Sequence, residues 1–243
     1  MKPFDRSKGR PEPVSALDRI REIENGDPLV ELRVVAPDVV IVRETTIPVV
    51  RGRVAEMAQQ VALSLPAGVK LGVTDAWRPL KRQQLIYEFM TKCAQEAYPD
   101  RIGPALTRTV NRWVAPTGRV APPGHCTGAA IDVVLIGTDG EHLDMSSPFD
   151  RIEGGPTFVY GLSEAARNNR MLLYGAMISA GFSNCRDEWW HYSFGDAGWA
   201  VRLGLQECCY GLIEYSQENY QTQQEKWEKA IAERANPFLP GSK

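Results

Sequence analysis

The sequence has no apolar run approaching the roughly 20 residues that a membrane-spanning helix needs, and its first twenty residues lack the apolar core of a signal peptide. It also lacks a surplus of either charge, because 28 Lys and Arg oppose 30 Asp and Glu for a formal charge of −2. No basic balance therefore indicates nucleic acid or an anionic membrane surface as a partner. We expect a cytoplasmic protein without either partner.

Paired cysteines are also lacking. The five cysteines are an odd, scattered set with no C-x-x-C pair, at Cys93, Cys126, Cys185, Cys208 and Cys209. Such a set argues against a disulfide framework and favours reduced thiols.

The composition is that of a globular protein, with 43% hydrophobic and 24% charged residues over 243 positions. This length suits one elaborated domain, and no long Gly/Ser/Pro-rich linker divides the chain. We predict an N-terminal extension at 1–30, a single domain at 31–215 and a polar, helical C-terminal tail at 216–243.

Hydrophobic periodicity indicates the main elements of that domain. Helices are predicted over 15–24, over 51–65, after Pro79 and over 163–180; strands are predicted within 32–42, over 69–76, 129–136, 182–184, 189–194 and 208–215; and 99–124 is predicted as a long loop with one helical turn. The order of elements predicts an α+β fold with a central, mostly antiparallel sheet and helices packed beside it.

Only three histidines occur, and two of them lie close to carboxylates in the chain. His125 precedes Asp132 in a Gly-containing segment, and His191 follows Glu188 by three residues. Gly128 allows the backbone to turn so that His125 and Asp132 can face one centre. Strand alternation would place Glu188 and His191 on opposite faces, so Glu188 can share this site only from a turn before the strand.

Two imidazoles and one carboxylate leave one open position on a tetrahedral zinc ion, and a free carboxylate beside it can transfer protons. The spacing thus predicts a metallopeptidase-like site, although the helical H-E-x-x-H signature is absent. Buried among apolar neighbours, Asp132 needs a partner, which a metal or an arginine would supply. His142 is expected to be exposed, Cys126 to point away from the site and Cys185 to be structural.

These segments resemble those of the zinc D-alanyl-D-alanine dipeptidases of the vancomycin-resistance type. That wider metallopeptidase group includes D,D-carboxypeptidases and shares its core with the Hedgehog signalling domain. The family pattern S-x-H-x-x-G-x-A-x-D is matched from His125 to Asp132, and E-x-W-H is matched from Glu188 to His191. Residues 75–79, D-A-W-R-P, match the segment of the catalytic arginine. The resemblance extends from about residue 40 to residue 195.

The resemblance implies a zinc ion, one per chain, bound by His125, Asp132 and His191. Glu188 would be the general base and acid, and Arg78 would stabilise the developing oxyanion. The implied activity is hydrolysis of D-Ala-D-Ala or related short D,D-dipeptides.

Two further positions concern the substrate. Residues 145–150 resemble the segment whose aspartate meets the substrate amine, so Asp150 would bind the ammonium of a free dipeptide. The family serine two residues before the first ligand is Pro123 here, which removes a hydroxyl from the substrate end of the site. From the residues alone, Asp150 could equally cap a turn.

Two alternative functions stay open at this point. The first is a D,D-carboxypeptidase or endopeptidase that trims peptidoglycan stems, and the second is a zinc-binding module without catalysis. Retention of Glu188 and Arg78 argues against the second, although Arg78 could also form a simple surface ion pair with Asp75.

Overall fold

The computed structural model describes residues 9–146 and 154–239. Its α-helices are α1 (Val14–Leu17), α2 (Leu32–Val35), α3 (Gly52–Ser64), α4 (Leu80–Ala97), α5 (Pro104–Val110), α6 (Glu164–Ser179), α7 (Ala197–Leu203) and α8 (Gln221–Ala232). Its strands are β1 (Arg21–Glu22), β2 (Leu29–Glu31), β3 (Val40–Ile41), β4 (Val49–Arg51), β5 (Lys70–Asp75), β6 (Ala130–Ile136), β7 (Ser183–Asn184), β8 (His191–Ser193) and β9 (Glu207–Cys208). Short 3-10 helices span Gly124–Thr127 and Gln217–Asn219.

The central sheet has five strands in the order β3-β5-β6-β8-β7. β3 runs parallel to β5, and every other neighbouring pair in this sheet is antiparallel. Two-stranded sheets join β1 with β9 and β2 with β4. The prediction of a single α+β domain with a mostly antiparallel sheet is confirmed.

The core lies between this sheet and the helices α3 and α6. On α3 the buried apolar residues include Val54, Met57 and Val61, which recur at helical spacing. Leu173 and Met177 of α6 belong to the same buried cluster. Each such side chain contributes about 1.5–3 kcal/mol when fully buried. β6 is buried along its whole length, so any polar side chain that it carries has a fixed position.

Several predicted elements differ from the structure. The helix expected over 15–24 is limited to α1, and the strand expected over 208–215 is limited to the two residues of β9. The segment 32–42 begins as the helix α2, and the predicted single turn within 99–124 is the seven-residue helix α5. Within the described ranges, no helix combines the length and apolarity needed to cross a bilayer.

Candidate metal centre

Three polar side chains meet on adjacent strands of the sheet. Asp75 of β5 lies opposite Asp132 of β6, and Asp132 lies opposite His191 of β8. The register of β5 shifts between Val73 and Asp75, which leaves Thr74 as an extra residue. A bulge re-aims the side chains beyond it, and this one places Asp75 beside Asp132 instead of one residue away. Directly opposed residues have Cβ atoms only about 5 Å apart.

His125 reaches this cluster from the 3-10 helix that precedes β6. That helix ends at Gly128, whose φ of 72° is left-handed and is adopted by glycine without strain. The turn expected at Gly128 is therefore confirmed. The Nδ1 atom of His125 lies 2.7 Å from the carbonyl oxygen of Ala76, which fixes the imidazole against the end of β5.

His125, Asp132 and His191 together offer three ligand atoms that lie within 4.8 Å of one another. The Oδ1 atom of Asp132 is 3.3 Å from Nε2 of His125 and 2.9 Å from Nδ1 of His191. Ligands that lie about 2 Å from a tetrahedral zinc ion are about 3.3 Å from each other. The two distances from Asp132 are therefore close to the spacing of ligands around one ion.

The hydrogen bonding of His125 indicates that a cation fits between these groups. A carbonyl only accepts, so Nδ1 carries a proton in its bond to Ala76. In a neutral imidazole, Nε2 then presents a lone pair to the Asp132 carboxylate. Two acceptors this close repel each other unless a proton or a metal ion lies between them. Two imidazoles and one carboxylate are a donor set of catalytic zinc sites.

Electrostatics keeps two of the three groups in the state that metal binding needs. Burial alone would raise the pKa of the Asp132 carboxyl, but His125 and His191 outweigh it and hold that pKa well below its ordinary value. Burial lowers the pKa of His191 despite the attraction of Asp132. Near pH 7, Asp132 is thus an anion and His191 is neutral, as metal ligands must be.

Arg78 lies beside the cluster and is held at several atoms. Its Nε donates to Asp75 at 2.7 Å, its Nη1 donates to Gln83 at 3.0 Å, and its Nη2 lies 3.4 Å from Asp132. Burial acts to lower the pKa of Arg78, but Asp75 and Asp132 raise it above its ordinary value. The side chain is only 14% exposed, so its bond to Asp75 is part of a partly buried network and not a surface ion pair.

Glu188 lies in the loop at 185–190, directly before β8. The expectation of a turn at this position is confirmed. Burial, reinforced by the negative charge of Asp132, raises the pKa of Glu188 well above its ordinary value. Glu188 lines the same cleft as Arg78 and the three candidate ligands. A carboxyl group with a raised pKa in a cleft is typical of proton-transfer sites.

The cleft has a volume of about 750 Å³. Its walls include Pro123, the residue at the serine position of the resemblance, and also Glu12 and Trp227. Cavities of about 300–1,000 Å³ hold drug-sized ligands, so this cleft has room for more than a dipeptide. Asp150 lies outside the described residues, and its contact with substrate stays a prediction.

The remaining sequence candidates are His142, Cys126 and Cys185. His142 is exposed, as expected. Cys126 is buried, and burial raises the pKa of its thiol to about 12, whereas burial raises that of Cys185 well above the ordinary value. Cys185 lines the cleft, but neither cysteine belongs to the group of described side chains that could hold a metal.

Sequence reasoning missed Gln83, which orients Arg78. Gln83 is 2% exposed, and its amide nitrogen donates to the carbonyl of Ala115 at 2.9 Å. Gln83 lies three residues before Ile86 on α4, so the two residues share a helix face. A polar residue on this otherwise apolar face was the signal that could have identified Gln83.

Comparison with known proteins identifies the family of this chain. The profile of a family described as D-ala-D-ala dipeptidase matches residues 32–208. The chain belongs to this family. The match confirms the resemblance drawn from the motifs and includes Arg78, the three candidate ligands and Glu188. It does not include Glu12 or Trp227, so part of the cleft wall comes from segments outside the family match.

Three similar proteins are named D-alanyl-D-alanine dipeptidase. The protein of Synechocystis sp. is 28% identical over 164 residues, which cover 59% of this chain and 66% of that protein. The Escherichia coli protein is 27% identical over 158 residues, covering 65% of this chain and 72% of that protein. The Enterococcus faecalis protein is 39% identical over 74 residues, covering 30% and 37%. The chain thus spans about two thirds of the length of the first two relatives.

Proposed function

We propose that this chain is a zinc-dependent dipeptidase that hydrolyses D-Ala-D-Ala and related short D,D-dipeptides with a free amino terminus. The observation that carries the proposal is the convergence of His125, Asp132 and His191 within 4.8 Å. Glu188 and Arg78 line the same cleft, and the family match and the names of the relatives support the choice of substrate.

In this proposal, His125, Asp132 and His191 hold one zinc ion per chain. When bound, zinc polarises the scissile carbonyl and lowers the pKa of a water molecule to about 7. Glu188 accepts the proton of the attacking water on its carboxylate and returns it to the nitrogen of the departing amino acid. A raised pKa suits this role because the carboxyl must hold the proton between the two transfers.

Arg78 acts on the oxygen of the scissile carbonyl. Its N–H groups stabilise the negative charge that develops there, and Asp75 and Gln83 hold the guanidinium in one orientation. Asp150 receives the substrate ammonium in this scheme, which favours peptides with an unblocked amino terminus. Pro123 offers no hydroxyl at the substrate end, so the range of accepted dipeptides is a property to be measured.

The direct test is release of D-alanine from D-Ala-D-Ala by the purified protein. We expect turnover of this dipeptide, and none of L-Ala-L-Ala or of N-acetyl-D-Ala-D-Ala. A zinc-loaded protein that releases no D-alanine from D-Ala-D-Ala would contradict the proposal and favour a zinc-binding module without catalysis.

A D,D-carboxypeptidase that acts on longer peptides is the second candidate. It is favoured by the volume of the cleft, about 750 Å³, and by the presence of Glu12 and Trp227 in its wall. A pentapeptide that ends in D-Ala-D-Ala separates the two candidates. A higher kcat/KM for the dipeptide supports the dipeptidase, and a higher value for the pentapeptide supports the carboxypeptidase.

A further inference from the structure

The side chain of Asn184 forms hydrogen bonds to the loop that carries Glu188. Asn184, the last residue of β7, directs its amide group at Glu188 within this loop and at His191 of β8. Its Nδ2 donates to the carbonyl oxygen of Glu188 at 3.1 Å and to that of His191 at 3.0 Å. Both partners only accept hydrogen bonds, so the chemistry determines which end of the amide faces them.

The opposite end of the same amide is also fixed. The hydroxyl of Thr157 donates to Oδ1 of Asn184 at 2.6 Å. Thr157 is 1% exposed, and its backbone nitrogen donates to the carbonyl of Arg186 at 3.1 Å. A polar network in which each group has a partner is rigid, because a buried group that loses its partner is costly.

Few other hydrogen bonds hold Glu188 in place. Residues 185–190 form neither helix nor strand. The backbone nitrogen of Glu188 donates to Cys185 at 3.2 Å, and its carbonyl accepts from the backbone nitrogen of His191 at 3.3 Å. The shorter bond to that carbonyl is the one from Asn184. Because the same amide also donates to the carbonyl of His191, it fixes the backbone of Glu188 relative to that of His191.

We propose that Asn184 is a positioning residue that fixes Glu188 relative to His191. The inference rests on the proposed function, in which Glu188 transfers protons and His191 binds zinc. Asn184 neither lines the cleft nor belongs to the candidate ligands, so it acts through the backbone of these two residues. A catalytic group displaced by about 1 Å can cost about 100-fold in rate.

The variant Asn184→Asp tests the proposal, since it keeps the shape of the side chain but places an oxygen against two carbonyls. We expect kcat for D-Ala-D-Ala to fall about 10- to 100-fold while KM changes less than about 3-fold. We also expect the zinc affinity of the metal-free protein, measured by competition with a chelator, to weaken, because the carbonyl of His191 loses one of two hydrogen bonds and keeps only the one from the backbone nitrogen of Cys185 at 3.0 Å.

The matched control is Asn236→Asp. The Nδ2 atom of Asn236 also donates twice, to the carbonyl of Cys93 at 2.9 Å and to the carboxylate of Glu96 at 3.1 Å, but Asn236 lies in the C-terminal segment. This variant should lower Tm without changing kcat or zinc affinity. If Asn184→Asp lowers Tm but leaves kcat and zinc affinity at the values of the control, Asn184 has only a structural role and the proposal is overturned.

A second pair of variants tests the proposal in case Asn184→Asp does not fold. Thr157→Val removes the hydroxyl that holds Oδ1 of Asn184, and Thr157→Ser keeps it. We expect a lower kcat for the valine variant and a value close to wild type for the serine variant; equal values for both would overturn the proposal. If the wild-type protein releases no D-alanine, the proposed function fails separately, and zinc affinity alone then decides whether Asn184 supports His191.

Discussion

The two halves of the candidate site, named the metal-binding half and the proton-transfer half after their proposed roles, are held in place in different ways. The metal-binding half is part of the sheet, where Asp132 and His191 are cross-strand neighbours. His125 is hydrogen-bonded to the backbone carbonyl of Ala76. The proton-transfer half rests on a loop, where the carbonyl of Glu188 depends on a few hydrogen bonds. Changes in the first half should therefore remove the metal, and changes in the second should alter the rate while the metal stays bound.

The largest effect is expected from His191→Ala, which removes one ligand from the sheet half. The protein should retain no stoichiometric zinc and show no measurable release of D-alanine, because two ligands do not make a stable site. Metal analysis of the purified protein and the dipeptide assay measure both results. The exposed His142 gives the control, His142→Ala, which should keep zinc and activity. Full zinc occupancy in His191→Ala would contradict the assignment.

Glu188→Ala should separate the two halves most clearly. Its zinc content should equal that of the wild type, whereas kcat should fall by about 100- to 10,000-fold, the usual contribution of a general base. The control Glu141→Ala changes an exposed carboxylate and should leave the rate unchanged. A near-normal kcat in Glu188→Ala would show that another group takes the proton.

Arg78→Lys keeps the positive charge but removes the planar fork that Asp75 and Gln83 hold. We expect zinc to stay bound and kcat to fall about 100-fold, as for loss of one oxyanion donor. Arg53→Lys is the control, since Arg53 pairs with Glu56 at 3.1 Å on the surface. Equal rates for the two variants would mean that Arg78 does not contact the reacting carbonyl.

A smaller effect is expected from Gln83→Met, which leaves Arg78 in place but removes the acceptor for its Nη1. We expect kcat/KM to fall about 10-fold, since a hydrogen bond to a charged group contributes about 1.5–3 kcal/mol. Gln84→Met changes the exposed neighbour on the same helix and should have no effect. If both variants match the wild type, Asp75 alone is enough to orient Arg78.

The elements of the core could be predicted from the sequence because their patterns are local. The strand expected over 129–136 is β6 (Ala130–Ile136), and the helix expected over 51–65 is α3 (Gly52–Ser64). Helix α7 was not predicted, although Asp196 caps it by accepting from the nitrogen of Trp199 and Gly204 ends it in a left-handed conformation. Both capping residues are visible in the sequence, but the helix between them has only seven residues, too few for a clear apolar periodicity.

The contacts that assemble the site depend on distant parts of the chain. The motifs indicated which residue types belong together, but no local pattern shows the bulge at Thr74 or the register that sets Asp132 against His191. The same holds for the cleft wall. Glu12 forms an ion pair with Arg202 at 2.8 Å across 190 positions, a contact that only the tertiary fold creates.

The central claim is that three side chains bind a metal on which catalysis depends, and one measurement tests it most directly. The purified protein is analysed for zinc and assayed for D-alanine release from D-Ala-D-Ala, before and after treatment with a chelator and again after zinc is restored. The account predicts one zinc ion per chain, loss of activity with the metal and recovery when zinc returns. Undiminished hydrolysis by the metal-free protein would contradict it.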